Sequence, residues 1–343
     1  MKNGVRQGAV VSPSLFCIYL DTLLTELKNC GVGCYISNIF MGAFGYADDI
    51  ILLAPTRHSL QIMLNICQNF AEKHDMLFST DPEPKKSKTK CLYFSAKAQK
   101  INPTPVILNN NPLPWVEKAK HLGNELTTDI SLTSHSTEFC HDLLVKRAIF
   151  FSRVHSLKQE FSNAPPRLVC ELLRIYGTSF FGSVLWTINS SEYSKLVKSW
   201  NTAVKSIWNL PYQTHTFFIE HLTDFPHLQS MLHSRFVGFC KSLQSSKKFH
   251  VKALFDICKN DQRTVTGENL KFLTDKYCAF SIQQLFDKKQ EIFQKTVDEI
   301  PLNDEWKINF LIDVLSMRDD KENPDSEMTG EEMEDIIEYI TTS

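Results

Sequence analysis

The sequence predicts two structural classes in succession, an α+β region over residues 1–130 and an all-helical region over residues 134–315. Short apolar runs on either side of a polar turn at residues 45–49 predict an antiparallel hairpin. Apolar residues at helical spacing predict helices before and after that hairpin. Strand signals stop near Ser134, beyond which helical patterns continue alone, so a mixed fold is followed by a helical one.

The first predicted element is a helix. Ser12 can cap its amino end, and Pro13 takes the first helical position, where a missing N–H costs nothing. Apolar side chains then recur at helical spacing from Leu15 to Leu27, and Gly31 ends the pattern.

The hairpin and its neighbours come next. The apolar runs Ile39–Phe44 and Ile50–Ala54 flank the polar turn, and a second helix is predicted from Leu60 to Ala71. A lysine-rich loop leads into a predicted strand at Cys91–Phe94. Further short strands are expected near Val106–Leu108 and Lys120–Leu126, which completes an antiparallel sheet with helices.

Helical patterns occupy residues 134–161, 165–186, 191–209 and 226–246, and prolines punctuate them. We divide this half into a helical region at 134–250, a helical extension of unknown role at 251–317 and an acidic tail at 318–343. The tail has ten acidic and two basic residues, a charge of −8, whereas the remainder of the chain carries +6. We expect the tail to be flexible and the mildly basic remainder of the chain to be able to approach the phosphate backbone of a nucleic acid.

Composition narrows the class of protein. No stretch approaches the ~20 apolar residues of a membrane helix, and residues 1–4 do not resemble a secretory signal. We therefore expect an intracellular protein, cytoplasmic or nuclear, that is neither secreted nor membrane-spanning. The ten cysteines include no CxxC pair, which favours reduced thiols packed as small hydrophobic side chains over a zinc site.

Two adjacent carboxylates, Asp48 and Asp49, stand in the predicted turn. Hard oxygen ligands in such a position suit Mg²⁺, and two such ions can clamp an in-line phosphoryl displacement. By themselves, however, adjacent aspartates are more often a solvated β-turn, since Asp favours turns. The neighbouring motifs decide between these interpretations.

Four motifs in order resemble those of reverse transcriptases. Phe44–Leu52 resembles the YADD motif, and Gly4–Pro13 resembles the upstream R-Q-G-x-x-x-S-P motif. Lys86–Lys90 with the following strand resembles the lysine-bearing motif, and His121–Gly123 resembles the turn of the primer grip. The stretch from Trp200 to His215 is similar to one that follows the polymerase domain of non-LTR (LINE-type) retrotransposons, which favours that class.

The resemblance implies a partial polymerase palm followed by a helical, thumb-like region. It implies an RNA-directed DNA polymerase that uses two Mg²⁺ ions, or Mn²⁺, for nucleotidyl transfer. The partners would be an RNA template, a DNA primer and deoxynucleoside triphosphates. Between Glu138 and Lys252 there are fourteen bases and seven acids, which suits a thumb along a phosphate backbone.

The same resemblance assigns the site residues. Asp48 would coordinate the metal, Asp49 would support that site, and Lys88 would protonate or stabilise the departing pyrophosphate, with Lys86 as the competing candidate. The template and nucleotide pocket would contain Gln7, Gly8, Ser12, Pro13 and Tyr46, although Tyr46 could instead pack on neighbouring strands. The turn Leu122-Gly123 would position the primer terminus.

In this family another metal-binding aspartate and the fingers precede the Gln-Gly motif, and only three residues precede Gly4 here. We therefore expect this chain to be inactive by itself and to need the missing fingers and palm segment as its partner, as a truncated element or an incomplete reading frame. Two alternatives remain open: a different two-metal nucleotidyl transferase, and a non-catalytic nucleic-acid-binding or interaction remnant of a retroelement. The helical region's large aromatic residues are expected in the core: Trp186, Trp200, Trp208, Phe180, Phe181 and Phe217.

Overall fold

The fold was obtained as a computed structural model. It describes residues 10–81, 83, 86–94, 103–128, 140–214, 216, 219 and 226–294. The chain divides into two compact units: unit 1 is Met1–His121 with Glu125–Leu132, and unit 2 is Leu122–Asn124 with Thr133–Ser343. Unit 1 combines helices and short strands and unit 2 is almost wholly helical, so the predicted change of class is confirmed.

Unit 1 contains two long helices, α1 (Ser12–Asn29) and α2 (Arg57–Lys73). The prediction that Ser12 caps α1 is wrong by one residue, because Val11 already has helical dihedral angles and takes the cap position. Pro13 is the second helical residue, where the missing N–H has no intrahelical partner to lose. Helix α2 is capped by Thr56, whose hydroxyl accepts a hydrogen bond of 3.1 Å from the Ser59 N–H.

The strands are short and form four two-stranded sheets. In chain order they are β1 (Tyr35–Ile36), β2 (Ile39–Phe40), β3 (Ala43–Tyr46), β4 (Asp49–Leu52), β5 (Ile107–Leu108), β6 (Asn111–Pro112), β7 (Lys118–His121) and β8 (Asn124–Thr127). The predicted strand at Cys91–Phe94 is wrong, since only Cys91 makes a bridge, to Trp115. An apolar run without a partner strand along its whole length does not become a strand.

The core of unit 1 is split in two. One cluster joins α1 to α2 through Leu20, Leu23, Leu27, Met63, Cys67 and Phe70. The second is smaller and joins α2 to the segments around β5 and β6 through Leu64, Cys91, Val106, Leu108 and Leu113. The hairpin β3–β4 rests on the first cluster, against which Ala43, Ile50 and Leu52 are partly buried.

Unit 2 contains eight α-helices among its described residues. They are α3 (Cys140–Glu160), α4 (Pro166–Leu172), α5 (Ser191–Ile207), α6 (Leu228–Gln244), α7 (Phe249–Cys258), α8 (Val265–Lys276), α9 (Ile282–Asp287) and α10 (Lys289–Gln294). The helix predicted over 165–186 is interrupted: α4 continues as a π-helical turn (Leu173–Gly177), and a 3₁₀ turn follows at Ser183–Leu185. The extension predicted at 251–317 is helical as far as it is described, and the tail at 318–343 lies outside the described residues.

One continuous core holds unit 2 together, and large aromatic side chains fill it. The prediction that Phe180, Trp186, Trp200 and Trp208 are core residues is confirmed. It is wrong for Phe181, which is 61% exposed, and Phe217 lies outside the described residues.

The cysteines of the described residues are free thiols. Burial raises the pKa of Cys67, Cys170 and Cys240 to about 12, because a thiolate is poorly solvated in an apolar core. This agrees with the predicted role of buried cysteines as small hydrophobic side chains. In the part of the chain that the structure describes, none of the helices combines the length and apolar character needed to cross a membrane.

Candidate functional site

The hairpin β3–β4 carries the two adjacent aspartates. Its strands pair antiparallel with Tyr46 opposite Asp49, so only Ala47 and Asp48 form the connection. Ala47 has a φ of 51°, in the left-handed region that a two-residue hairpin turn requires and that an alanine rarely adopts. The predicted turn is therefore confirmed, and it is tighter than the five-residue segment suggested.

The two faces of this hairpin differ. Ala43 and Leu52 form a cross-strand pair on the face that packs on the helices, and so do Gly45 and Ile50. A Cβ atom at Gly45 would lie 2.9 Å from Leu20 Cδ2, so a glycine lets α1 approach the strand closely. Because side chains alternate along a strand, Tyr46 and Asp49 lie on the opposite face, away from the helices.

The carboxylates themselves are accessible. Asp48 and Asp49 are both exposed, and Tyr46 is 67% exposed, which argues against the alternative that Tyr46 packs on neighbouring strands. Two adjacent, solvent-facing carboxylates are a donor set that Mg²⁺ or Mn²⁺ accepts, since hard cations prefer oxygen ligands. Within the described ranges, no group of three or more His, Cys, Asp or Glu side chains is placed to hold an ion.

The two candidate lysines for the pyrophosphate, Lys86 and Lys88, differ in their surroundings. Lys86 forms a 2.5 Å ion pair with Glu83, whereas Lys88 is exposed and makes no ion pair with Asp48 or Asp49. The backbone between them is anchored, because the buried Ser87 hydroxyl donates to the Thr89 carbonyl at 2.7 Å and the Thr89 hydroxyl donates to the Ser79 carbonyl at 2.9 Å. Lys88 therefore extends from an anchored backbone, and no carboxylate among the described residues forms an ion pair with it.

The predicted primer-grip turn lies between β7 and β8. Leu122 and Gly123 both have positive φ, 46° and 80°, as a two-residue turn between paired strands requires. Phe181 lies 3.2 Å from the position of a Cβ atom on Gly123, and Lys146 Nζ is 3.5 Å from the Gly123 carbonyl oxygen. The sequence did not predict either contact. Phe181 directly precedes Gly182, a glycine inside a predicted helix, and this signal of an interruption could have indicated that Phe181 lies outside a regular helix.

The remaining predicted site residues lie at the start of the chain. Gln7 and Gly8 lie outside the described residues. Ser12 is half-buried and Pro13 is exposed in the first turn of α1. The structure thus brings Tyr46, Asp48 and Asp49 together on one hairpin, and it shows no contact of these three with Lys88.

Comparison with known proteins shows what the first part of the chain is similar to. Residues 1–126 match the family described as reverse transcriptase (RNA-dependent DNA polymerase). A retrovirus-related Pol polyprotein from the type-2 retrotransposable element R2DM of Drosophila melanogaster is 39% identical over 68 residues, which is 20% of this chain and 6% of that polyprotein. The corresponding polyprotein from the type-1 retrotransposable element R2 of Nasonia vitripennis is 35% identical over 99 residues, 29% of this chain and 9% of the relative.

Residues 1–126 thus match the reverse transcriptase family, and stretches of the chain are similar to Pol polyproteins of R2 retrotransposable elements. The predicted family is thereby confirmed. The segment contains the YADD hairpin, the lysine loop and the turn at Leu122-Gly123. Each match spans less than a tenth of the curated relative, and the family match stops before the helices of unit 2.

Proposed function

We propose that this chain carries the catalytic turn of an RNA-directed DNA polymerase. The observation that supports this most is the pair of exposed aspartates at a two-residue hairpin turn, inside the segment that matches the reverse transcriptase family. The substrates would be deoxynucleoside triphosphates with an RNA template and a DNA primer.

Asp48 and Asp49 would hold the metal, Mg²⁺ or Mn²⁺. When bound, such an ion activates the attacking hydroxyl and neutralises charge on the leaving pyrophosphate. The hairpin turn holds the two carboxylates next to each other and in solvent, so a triphosphate can approach them without displacing core side chains.

Other residues of the chain would position the template and primer and protonate the leaving pyrophosphate. Lys88 would donate a proton or a hydrogen bond to the pyrophosphate, a role that suits it better than Lys86, whose charge is paired with Glu83. Leu122 and Gly123 would support the primer terminus. Gln7, Gly8, Ser12, Pro13 and Tyr46 would line the template and nucleotide pocket.

The test compares Asp48→Asn with Asp21→Asn, which removes an exposed carboxylate from α1 instead. Line broadening by Mn²⁺ in NMR spectra of the full chain should centre on residues 46–50. Asp48→Asn should weaken Mn²⁺ binding at least roughly tenfold, since even outer-sphere changes cost that much, and Asp21→Asn should not change it. Broadening that Asp48→Asn leaves unchanged would remove the basis of the proposal.

Primer extension with Mg²⁺ and deoxynucleotides tests catalysis separately. That the chain is inactive by itself stays a prediction, and robust extension by the wild-type chain would contradict it. If extension occurs, it should disappear in Asp48→Asn and persist in Asp21→Asn, because only the first variant removes a proposed metal ligand.

A second candidate function is nucleic-acid binding without catalysis. It is favoured by the charge of the helical region, in which 31 consecutive residues, 225–255, contain five lysine or arginine residues and no Asp or Glu. Salt-dependent binding of an RNA–DNA duplex, with neither Mn²⁺ binding at the hairpin nor nucleotide incorporation, would support this candidate over the first.

A further inference from the structure

The connection between α6 and α7 exposes a short basic segment, residues 247–252, with the sequence Lys-Lys-Phe-His-Val-Lys. Its lysines and its histidine are exposed, and Phe249 is 68% exposed although it is the first residue of a helix. We call this segment the basic loop. It lies beyond the residues that match the reverse transcriptase family.

The charge of the basic loop is poorly neutralised. Asp224 and Asp256 are the acidic residues that bracket it in sequence, and no carboxylate lies between them. In the described part of the chain, no carboxylate comes within ion-pair distance of Lys247 or Lys248. Asp256 hydrogen-bonds Lys259 at 2.6 Å just past the end of α7, and its charge also acts on Lys252. The least neutralised charges of the basic loop are therefore those of Lys247 and Lys248. Such a surface attracts an anionic partner.

Phe249 is exposed although the helix that it begins is firmly packed on the core. Helix α7 is anchored through Phe255, which is 3% exposed and belongs to the core of unit 2. Phe249 is six residues earlier, and its ring packs edge-on with the His250 ring, with centroids 5.9 Å apart. Most of the Phe249 side chain is therefore accessible to solvent, and Lys247 and Lys248 directly precede it in sequence.

The backbone that presents these groups is fixed. The Ser246 N–H donates to the Leu243 carbonyl at 3.2 Å, and the Lys248 N–H donates to the Ser246 hydroxyl at 3.2 Å. The Lys252 N–H then begins the hydrogen bonding of α7 by donating to the Lys248 carbonyl. A fixed turn loses little conformational entropy on binding, which favours a binding surface over a solvated linker.

We propose that the basic loop binds single-stranded nucleic acid. Lys247, Lys248 and Lys252 contact phosphates, and an unpaired base stacks on Phe249, the combination by which such strands are held without sequence preference. A base inside a duplex is already stacked on both sides, so one exposed ring favours a single strand. A membrane surface would need a wide apolar helix face, whereas α7 directs Phe255 into the core.

This inference rests on the nucleic-acid-binding part of the proposed function and does not require catalysis at Asp48. The first experiment measures fluorescence anisotropy of labelled single-stranded RNA and DNA oligonucleotides with the full chain. Phe249→Ala should weaken binding roughly tenfold, as loss of one stacked base does, while Phe249→Tyr retains the affinity. The matched control is Phe280→Ala, which removes a 97% exposed ring from a different connection of unit 2 and should have no effect.

The salt dependence separates stacking from charge. The double variant Lys247→Ala, Lys248→Ala should lower the slope of log affinity against log salt by about 1.4, since each phosphate contact on a single strand contributes ~0.7. Phe249→Ala should leave that slope unchanged. Lys195→Ala, which removes an exposed lysine already paired with Glu192, is the control for charge and should change the slope little.

Two outcomes would overturn the proposal. In one, the basic-loop variants bind oligonucleotides as the wild type does. In the other, the chain binds vesicles of anionic lipid through these residues and oligonucleotides not at all. The catalytic proposal is tested by Mn²⁺ broadening at residues 46–50 and this one by oligonucleotide affinity, so a failure of either proposal gives a different result.

Discussion

The two units bury their apolar side chains in different ways. Unit 1 divides its core into two small clusters beneath strands of two to four residues, and its hairpin keeps Tyr46 and both aspartates in solvent. Unit 2 gathers one continuous core around Trp186, Trp200 and Tyr193, which are almost completely buried. We therefore expect the hairpin of unit 1 to rest on a shallow core, whereas the large helical core of unit 2 carries most of the resistance to unfolding.

The largest effect is expected from Trp186→Ala. This side chain is fully buried, and its indole N–H donates to the buried Asp142 carboxylate at 2.8 Å. Its removal should lower the free energy of unfolding of unit 2 by about 3–5 kcal/mol, since it leaves both a cavity and an unpaired buried carboxylate. Urea denaturation followed by circular dichroism measures the change.

Trp115→Ala provides the matching measurement for the core of unit 1. Trp115 is only half-buried against the smaller cluster of unit 1, so its loss should cost about 1 kcal/mol. Equal costs for the two tryptophans would contradict the contrast between a deep and a shallow core.

A loss of about 3 kcal/mol, at the lower end of the range for Trp186→Ala, is expected from Gly182→Ala in unit 2. Gly182 has a φ of 85°, and a Cβ atom there would lie 1.8 Å from Asn124 Oδ1. Adding Asn124→Ala should recover part of the loss, because that oxygen is buried and has no hydrogen-bond partner among the described residues. Thermal unfolding of the two single variants and the double variant measures the coupling.

Gly31→Ala in unit 1 is the matched control. Gly31 has a similar φ of 75° but nothing within 4 Å of the added atom, so only backbone strain of about 1 kcal/mol should appear. If both glycine variants lose the same free energy, steric overlap at Asn124 is not the cause of the larger effect.

The third prediction concerns pH and the core of unit 2. Burial and the nearby Lys276 ammonium lower the pKa of His233 to about 3 and that of His227 to about 4. His233 also bonds the Tyr277 hydroxyl at 2.7 Å and stacks on Tyr193. Both histidines have lower pKa values folded than unfolded, so the unfolded chain takes up protons first, and stability present above pH ~6.5 is lost as the pH falls towards 4.

Each histidine should contribute a slope of at most ~1.4 kcal/mol per pH unit in that window. Urea midpoints measured from pH 7 to pH 5 should fall less steeply in His233→Gln than in the wild type. His58→Gln, which changes an exposed histidine at the start of α2, should leave the slope as it is. A wild-type midpoint that does not change over this range would show that neither histidine is held neutral by folding.

Much of the fold could be predicted because local chemistry coincides with the final structure. Helices α2 and α5 begin at Thr56 and Ser190, whose side chains cap them, and each has a continuous apolar stripe. The turn at Asp48 and Asp49 could be predicted because apolar runs flank it on both sides, and a hairpin lets both runs pack on the same core.

The wrong predictions have one physical cause: a sequence pattern does not show which other segment a given segment packs against. Cys91–Phe94 is apolar but meets only Trp115, and Phe181 is aromatic but lies against the turn at Gly123 instead of in the core. The helix predicted over 165–186 ends where Gly177 packs under Leu173, and the Thr178 carbonyl is bonded by Arg235 from α6. Apart from the local contact of Gly177 with Leu173, these contacts join residues far apart in sequence, which periodicity cannot detect.

The distribution of buried and exposed thiols should allow selective chemical labelling of this chain. A maleimide reacts with accessible thiolate, so Cys67, Cys170 and Cys240, buried and held as neutral thiols, should resist it. Of the described cysteines only Cys17 and Cys278 are exposed, one in each unit. With Cys140 replaced by serine, a brief labelling reaction should attach dyes to one site in each unit, and energy transfer between them would report on any rearrangement that an added oligonucleotide causes.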